Sequence, residues 1–86
     1  MKEKEQKEVL RAAVEEILNN QLRDNKPAET KITLERLMAA GNTEHNARLH
    51  ISQCIVVELF DILKHKKPFD EARYVQNLKN LPKKPF

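Results

Sequence analysis

Apolar residues recur at intervals of three and four positions in four segments of the chain, and Pro, Gly or clusters of polar residues separate these segments. That spacing places apolar side chains along one side of an α-helix, whereas a half-buried strand needs a sustained alternation that the sequence lacks. The pattern predicts an all-α fold, a small four-helix bundle with a long central third helix. The predicted helices lie near residues 5–24, 28–40, 43–65 and 71–80.

The third segment is the element against which the others are expected to pack. It runs for about 22 residues, from Thr43 to Lys64, without Gly or Pro, and as a helix it spans roughly 33 Å. Its apolar residues form two adjacent stripes, with Leu59 between them. The first stripe contains Ala47, Ile51, Cys54, Ile55 and Ile62, and the second contains Leu49, Val56, Phe60 and Leu63. One neighbour cannot cover so wide an apolar arc, so we expect contacts from several sides.

Local signals define how the second and third helices are joined. Pro27 suits the first turn of the second helix, and Gly41 can adopt the left-handed conformation that ends it. Thr43 is then expected to cap the third helix. The loop between the two helices is only about three residues long, which predicts an antiparallel helical hairpin.

The remaining segments each show one apolar side that is expected to be buried. Its residues are Val9, Leu10, Ala13, Val14, Ile17, Leu18 and Leu22 in the first helix, Ile32, Leu34, Leu37 and Met38 in the second, and Tyr74, Val75, Leu78 and Leu81 in the fourth. Pro68 prevents continuation of the third helix. With Asp70 as N-cap of the fourth helix, Phe69 and Tyr74 stand at the spacing of a hydrophobic staple.

Composition and charge favour a single helical domain over residues 1–86. Residues 1–8 are expected to form a solvated N-terminal extension, and residues 82–86 an irregular tail. Sixteen Lys and Arg against 13 Asp and Glu give a net charge of +3, which permits an anionic partner without requiring one. The longest uninterrupted apolar run, Ile55 to Val57, is far too short for a signal peptide or a membrane span. We therefore expect a cytoplasmic protein that does not bind membranes.

Five segments of the chain carry a resemblance to known proteins. They are Asn20-Gln21-Leu22, Thr33-Leu34-Glu35-Arg36-Leu37-Met38, Gly41 to Ala47, Glu58 to Leu63 and Pro68-Phe69-Asp70-Glu71-Ala72-Arg73-Tyr74. Together they resemble a family of small bacterial proteins of unknown function. The resemblance spans nearly all of residues 9–82 and implies a helical fold but no established activity. It also points to histidine positions in the first helix and at the start of the third. Those positions hold Arg11, Glu15, His45 and Leu49 here, so only His45 is retained and a metal role is not implied.

One stripe of the third helix contains residue types that bind metals, namely His50, Cys54, Glu58 and Asp61. Zinc prefers His and Cys ligands, but a structural site usually needs four of them, and the sequence has no paired Cys or His motif elsewhere. The competing interpretation makes Cys54 a small buried hydrophobe and His50 a partly exposed polar residue. We favour it and predict neither a metal nor another cofactor.

The same stripe gives little support to catalysis. His50 lies one helical turn from Cys54, yet the sequence shows no oxyanion donor and no third group to orient the base, so we expect no enzyme activity. Glu58 lies near the centre of the apolar arc, where an unpaired carboxylate would be costly. Its candidate partners are Arg36, Arg48 and Arg73, and the alternative is that Glu58 marks an exposed seam between helices.

Two function classes remain from the sequence. Nucleic-acid binding would use a cluster of lysines at one end of the bundle, formed by Lys64, Lys66, Lys67, Lys79, Lys83 and Lys84. Mixed charges elsewhere and the lack of an aromatic platform argue against it. The favoured class is a non-enzymatic protein-interaction or assembly module. The second and fourth helices are only about three turns long, so either part of the central apolar arc or the apolar face of the first helix beyond their reach is expected to stay exposed. Such a surface predicts a symmetric homodimer, the alternative being a compact monomer.

Overall fold

A computed structural model describes the backbone of residues 2–86 and the side chains of residues 6–86. Within that range the chain forms four α-helices and no strand, which confirms the predicted all-α four-helix fold. The helices are α1 (Lys2–Asp24), α2 (Ala28–Ala39), α3 (Glu44–His65) and α4 (Glu71–Asn80). α1 begins at Lys2 rather than near residue 5, so the segment predicted as an extension continues the helix.

The loop between α2 and α3 closes through backbone hydrogen bonds that need a left-handed residue. Gly41 has φ +106°, and its N–H donates to the carbonyl of Met38 at 3.0 Å. The N–H of Asn42 donates to the carbonyl of Leu37, also at 3.0 Å. Thr43 accepts a hydrogen bond from the backbone N–H three residues later and so caps α3. This Schellman-type ending followed at once by an N-cap produces the predicted antiparallel α2–α3 hairpin.

The start of α4 has the predicted cap and staple. Asp70 Oδ1 accepts a hydrogen bond from the backbone N–H of Arg73 at 3.0 Å. The rings of Phe69 and Tyr74 meet edge to face with 5.2 Å between their centroids. An aromatic contact across the N-cap fixes the direction in which the chain enters α4.

The core lies where α3 packs against all three other helices. Its buried apolar side chains are Val14, Leu18, Leu37, Ala47, Ile51, Cys54, Ile55, Tyr74, Leu78 and Leu81. The first stripe of α3 supplies four of them, and Ile62 at its end is half-buried. The long third helix is therefore the central element of the core, as predicted.

The buried side of α2 differs from the prediction. Ile32 is 61% exposed and Met38 is 42% exposed, whereas Thr30 and Thr33 are buried beside Leu37. The reason is a polar contact among three helices that an apolar periodicity cannot reveal. The Thr30 hydroxyl and the Tyr74 hydroxyl each donate a 2.7 Å hydrogen bond to the side-chain oxygen of Gln21. This shared acceptor rotates α2 so that its threonines face the core.

Val9 is also exposed, at 70%, although its spacing predicted burial. α1 has 23 residues and α2 has 12, so α2 covers only the half of α1 nearest the loop that joins them. Residues 6–13 of α1 lie beside Leu59, Ile62 and Leu63 in the C-terminal half of α3. This uncovered region adjoins Leu63 at the C-terminal end of α3.

Candidate functional site

The stripe of α3 with metal-binding residue types, for which no metal was predicted, is divided between an ion-pair cluster and the core. Glu58 is fully buried, and its two carboxylate oxygens accept hydrogen bonds from Arg73 at 2.6 and 2.9 Å. One of these oxygens also accepts from the backbone N–H of Asp70 at 2.9 Å. The predicted arginine partner of Glu58 is thus Arg73, and the alternative of an exposed seam is wrong. This contact holds the start of α4 against α3.

Asp61 belongs to the same cluster. Its carboxylate accepts a hydrogen bond from the Arg73 guanidinium at 3.0 Å and lies 2.9 Å from Nδ1 of His65. These two partners, Arg73 first, hold the pKa of Asp61 below its ordinary value. The hydrogen bonds that Arg73 donates to Glu58 and Asp61 in turn raise the pKa of Arg73, which keeps the guanidinium charged. Both carboxylates of the stripe are therefore directed at one arginine.

Cys54 and His50 do not form a reactive pair. Cys54 is fully buried, and its Sγ lies 3.9 Å from the backbone carbonyl of His50. Burial, and secondarily the negative charge of Glu58, raises the pKa of the Cys54 thiol to about 12. Since the thiolate is the form that attacks or binds a metal, a thiol of this kind behaves as a small apolar core residue. Among the side chains of residues 6–86, no three His, Cys, Asp or Glu are grouped to hold a metal ion.

The six lysines of the nucleic-acid alternative fall into two groups. Lys64, Lys66 and Lys67 lie at the C-terminal end of α3, whereas Lys79, Lys83 and Lys84 lie in the last turn of α4 and beyond it. The end of α4 is bound to Arg36, which donates to the carbonyls of Leu78 and Leu81 at 3.0 Å. Arg36 is in the last turn of α2, beside the N-terminal end of α3. The two groups therefore lie at opposite ends of the bundle, and the expected single cluster is not formed.

The fold leaves much of the second apolar stripe of α3 uncovered. Leu49 is 52% exposed, Phe60 is 56% exposed and Leu63 is 68% exposed. We call the outward side of this helix the α3 face, which consists of Leu49, Ser52, Gln53, Val56, Val57, Phe60 and Leu63. From Leu49 to Leu63 this side contains no charged residue, and the exposed Lys64 follows at its C-terminal end. The carboxylates of this part of the helix, Glu58 and Asp61, lie against Arg73 instead.

Two grooves extend this surface onto α1. One is almost wholly apolar and is lined by Gln6, Val9, Leu10, Ala13, Leu59, Ile62 and Leu63. The other is lined by Lys7, Leu10, Arg11, Val14, Glu15, His45, Leu49, Ser52 and Val56. Arg48 joins the helices near this second groove, donating to Glu15 at 3.2 Å and Asn19 at 2.6 Å.

The four positions singled out by the family resemblance line this second groove together. Arg11 and Glu15 come from α1, and His45 and Leu49 come from α3. Only Glu15 and His45 among them have metal-binding side chains, and the oxygen of Glu15 already contacts Arg48. The positions meet in space, but the residues at them do not make a metal centre. Sequence reasoning missed the groove because its two sides lie about 35 residues apart in the chain.

Comparison with known proteins gives no match to a family model, to a curated protein or to a solved structure. Among the described residues, no helix combines the length and the apolar character that crossing a bilayer requires.

Proposed function

We propose that this protein is a non-enzymatic assembly module that binds a second copy of itself through the α3 face, forming a homodimer. The single observation that supports the proposal is the run of uncharged and partly apolar side chains along the outer side of α3. Scattered exposed apolar residues are ordinary, but a continuous apolar patch usually marks an interface. Depletion of charged residues is the compositional signal of an interface centre.

The exposed side chains provide a driving force for association. Leu49, Phe60 and Leu63 are each more than half exposed in the single chain. Complete burial of such a side chain is worth about 1.5–3 kcal/mol, of which a partly exposed one retains roughly half to gain. Several such gains are needed, because association also loses about 4–15 kcal/mol of translational and rotational freedom. The lining of the apolar groove around Val9 adds to the surface that would be covered.

The size of the surface suits a second copy of this chain. α3 spans roughly 33 Å and the α1–α3 pair is roughly 20 Å wide, so the α3 face together with the apolar groove on α1 can occupy at most about 650 Å². A specific interface of standard size buries about 800 Å² on each partner. A two-fold axis allows one such face to cover an identical one, so a single apolar surface is enough to form a closed dimer.

Sedimentation equilibrium of Leu63→Glu against Ile32→Glu tests the proposal. Leu63 on the α3 face and Ile32 on α2 are similarly exposed, at 68% and 61%, so the two variants differ mainly in location. The native protein and Ile32→Glu should show a two-chain mass, and Leu63→Glu should weaken the association at least tenfold. A single species of 10.1 kDa for the native protein at every concentration would overturn the proposal.

A further inference from the structure

We infer that the α3 helices of two copies pair antiparallel, with the two-fold axis passing at Val56. This inference rests on the proposed self-association and specifies its geometry. Leu49, Val56 and Leu63 follow one another at intervals of seven residues, so they share one side of the helix. Each interval is about 10.5 Å along the helix axis. With the two-fold axis at Val56, Leu49 of one copy lies against Leu63 of the other. Symmetry repeats this pair, so it occurs once at each end of the contact.

The residues between these positions have complementary sizes in this register. Ser52 and Phe60 are equally distant from Val56, so Phe60 of one copy faces Ser52 of the other. Phe60 is a large side chain that is 56% exposed, and the small Ser52 leaves room for its ring. Alternation of large and small side chains across a contact is what allows two helices to interdigitate.

Charge distinguishes the antiparallel arrangement from the parallel one. The C-terminal end of α3 contains Lys64, Lys66 and Lys67, and the N-terminal turn contains the exposed Glu44. Parallel helices would bring the lysines of both copies together. Antiparallel helices place the basic end of each copy near Glu44 of the other and Lys64 level with Arg48, whose charge is already paired with Glu15. The helix dipoles are then also oppositely directed, which is favourable.

A pairing of α3 with α1 of the second copy is less favourable. The side of α1 that borders Leu49 and Val56 contains Lys7, Arg11 and Glu15, whereas its apolar side borders only Leu63 of the α3 face. These charges would lose water against Leu49, Phe60 and Leu63 without gaining a charged partner, which is costly. The uncharged side of α3 is matched by the same side of a second α3.

Variants with one added cysteine, combined with a measurement of mass, test the register. Val56→Cys should form a disulfide-linked dimer under mild oxidation, because only a residue at the axis meets its own copy at the Cβ distance of about 3.5–4.5 Å that a disulfide needs. A mixture of Leu49→Cys and Leu63→Cys should form the mixed dimer in preference to either self-linked one. Two controls should not form a disulfide-linked dimer. One is Ile32→Cys, at an exposed position of α2, and the other is the native chain, whose Cys54 is buried.

The outcomes separate the register from the assembly itself. If the reduced proteins sediment as two chains but Val56→Cys does not link, or Leu63→Cys links to itself faster than to Leu49→Cys, the antiparallel register is wrong and the proposed function stands. If the reduced native chain sediments at 10.1 kDa throughout, the proposed function itself fails. Leu49 and Leu63 are both exposed, so replacing them should not disturb folding. The Leu49→Cys and Leu63→Cys mixture therefore still tests the register if Val56→Cys fails to fold.

Discussion

Arg73 joins two carboxylates of α3 to the start of α4, and this cluster makes stability depend on pH. The pKa of Asp61 is lowered from its ordinary 3.8, by Arg73 first and by His65 second. A group whose pKa is lower in the folded state stabilises the fold above its unfolded pKa and loses that effect as the pH falls through the folded pKa. The melting temperature should therefore fall as the pH is lowered from about 4.

Asp61→Asn isolates this contribution. The variant lacks the carboxylate that Arg73 holds at 3.0 Å, so it should melt lower than the native protein at pH 6, with the difference shrinking as the pH falls below 4. Thermal unfolding followed by circular dichroism across this pH range measures the difference. Parallel curves for the two proteins at every pH would show that the ionised Asp61 contributes nothing to the folded state.

Cys54 shows why single residues are hard to interpret from sequence. Its spacing from His50 is equally compatible with a metal ligand, a nucleophile and a core residue. Burial decides between them, since a fully enclosed thiol next to Glu58 has a pKa of about 12. Burial depends on which helices cover that side of α3, and the sequence of α3 alone does not contain this information.

The N-cap of α4 is the contact through which a short helix is fixed to the bundle. Asp70 caps the helix through the backbone N–H of Arg73, and its own N–H donates to Glu58. Asp70→Ala removes the side-chain cap and should lower the free energy of unfolding by about 1 kcal/mol. Asp70→Asn keeps a capping oxygen and should lower it much less. Urea denaturation of the two variants measures the difference, and equal losses would contradict a capping role.

Helix limits were predictable because their signals are local, whereas the orientation of each helix was not. Gly41, Thr43 and Asp70 act on backbone groups a few residues away, and each ends or begins a helix as predicted. The rotation of α2 depends on Gln21 and Tyr74, which meet Thr30 from distant parts of the chain. The spacing of apolar residues predicts that Ile32 is buried and Thr30 is not. The hydrogen bonds that Thr30 and Tyr74 share at Gln21 favour burial of Thr30 instead.

At the scale of the whole molecule, the unequal lengths of the helices explain both the core and the exposed face. α3 has 22 residues, and α2 and α4 have 12 and 10, so these two cannot enclose it along its length. A small single domain has a limited core and gains proportionally more from association than a large one. The width of the apolar arc was visible in the sequence, but which stripe would remain outside depended on where α1, α2 and α4 lie.

If the α3 face is covered by a second copy, folding and association are coupled. A partner that binds the native chain but not the unfolded one stabilises the native state by mass action, so the melting temperature should rise with protein concentration. A tenfold increase in concentration should be detectable as a shift of the melting curve for the native protein and for Ile32→Glu. Leu63→Glu should melt at nearly the same temperature at each concentration, because its dimer is weakened at the exposed end of α3. The contrary result would be a melting temperature of the native protein that does not change over a concentration range in which sedimentation shows the dimer dissociating. In that case folding does not depend on association, and the single chain is stable by itself.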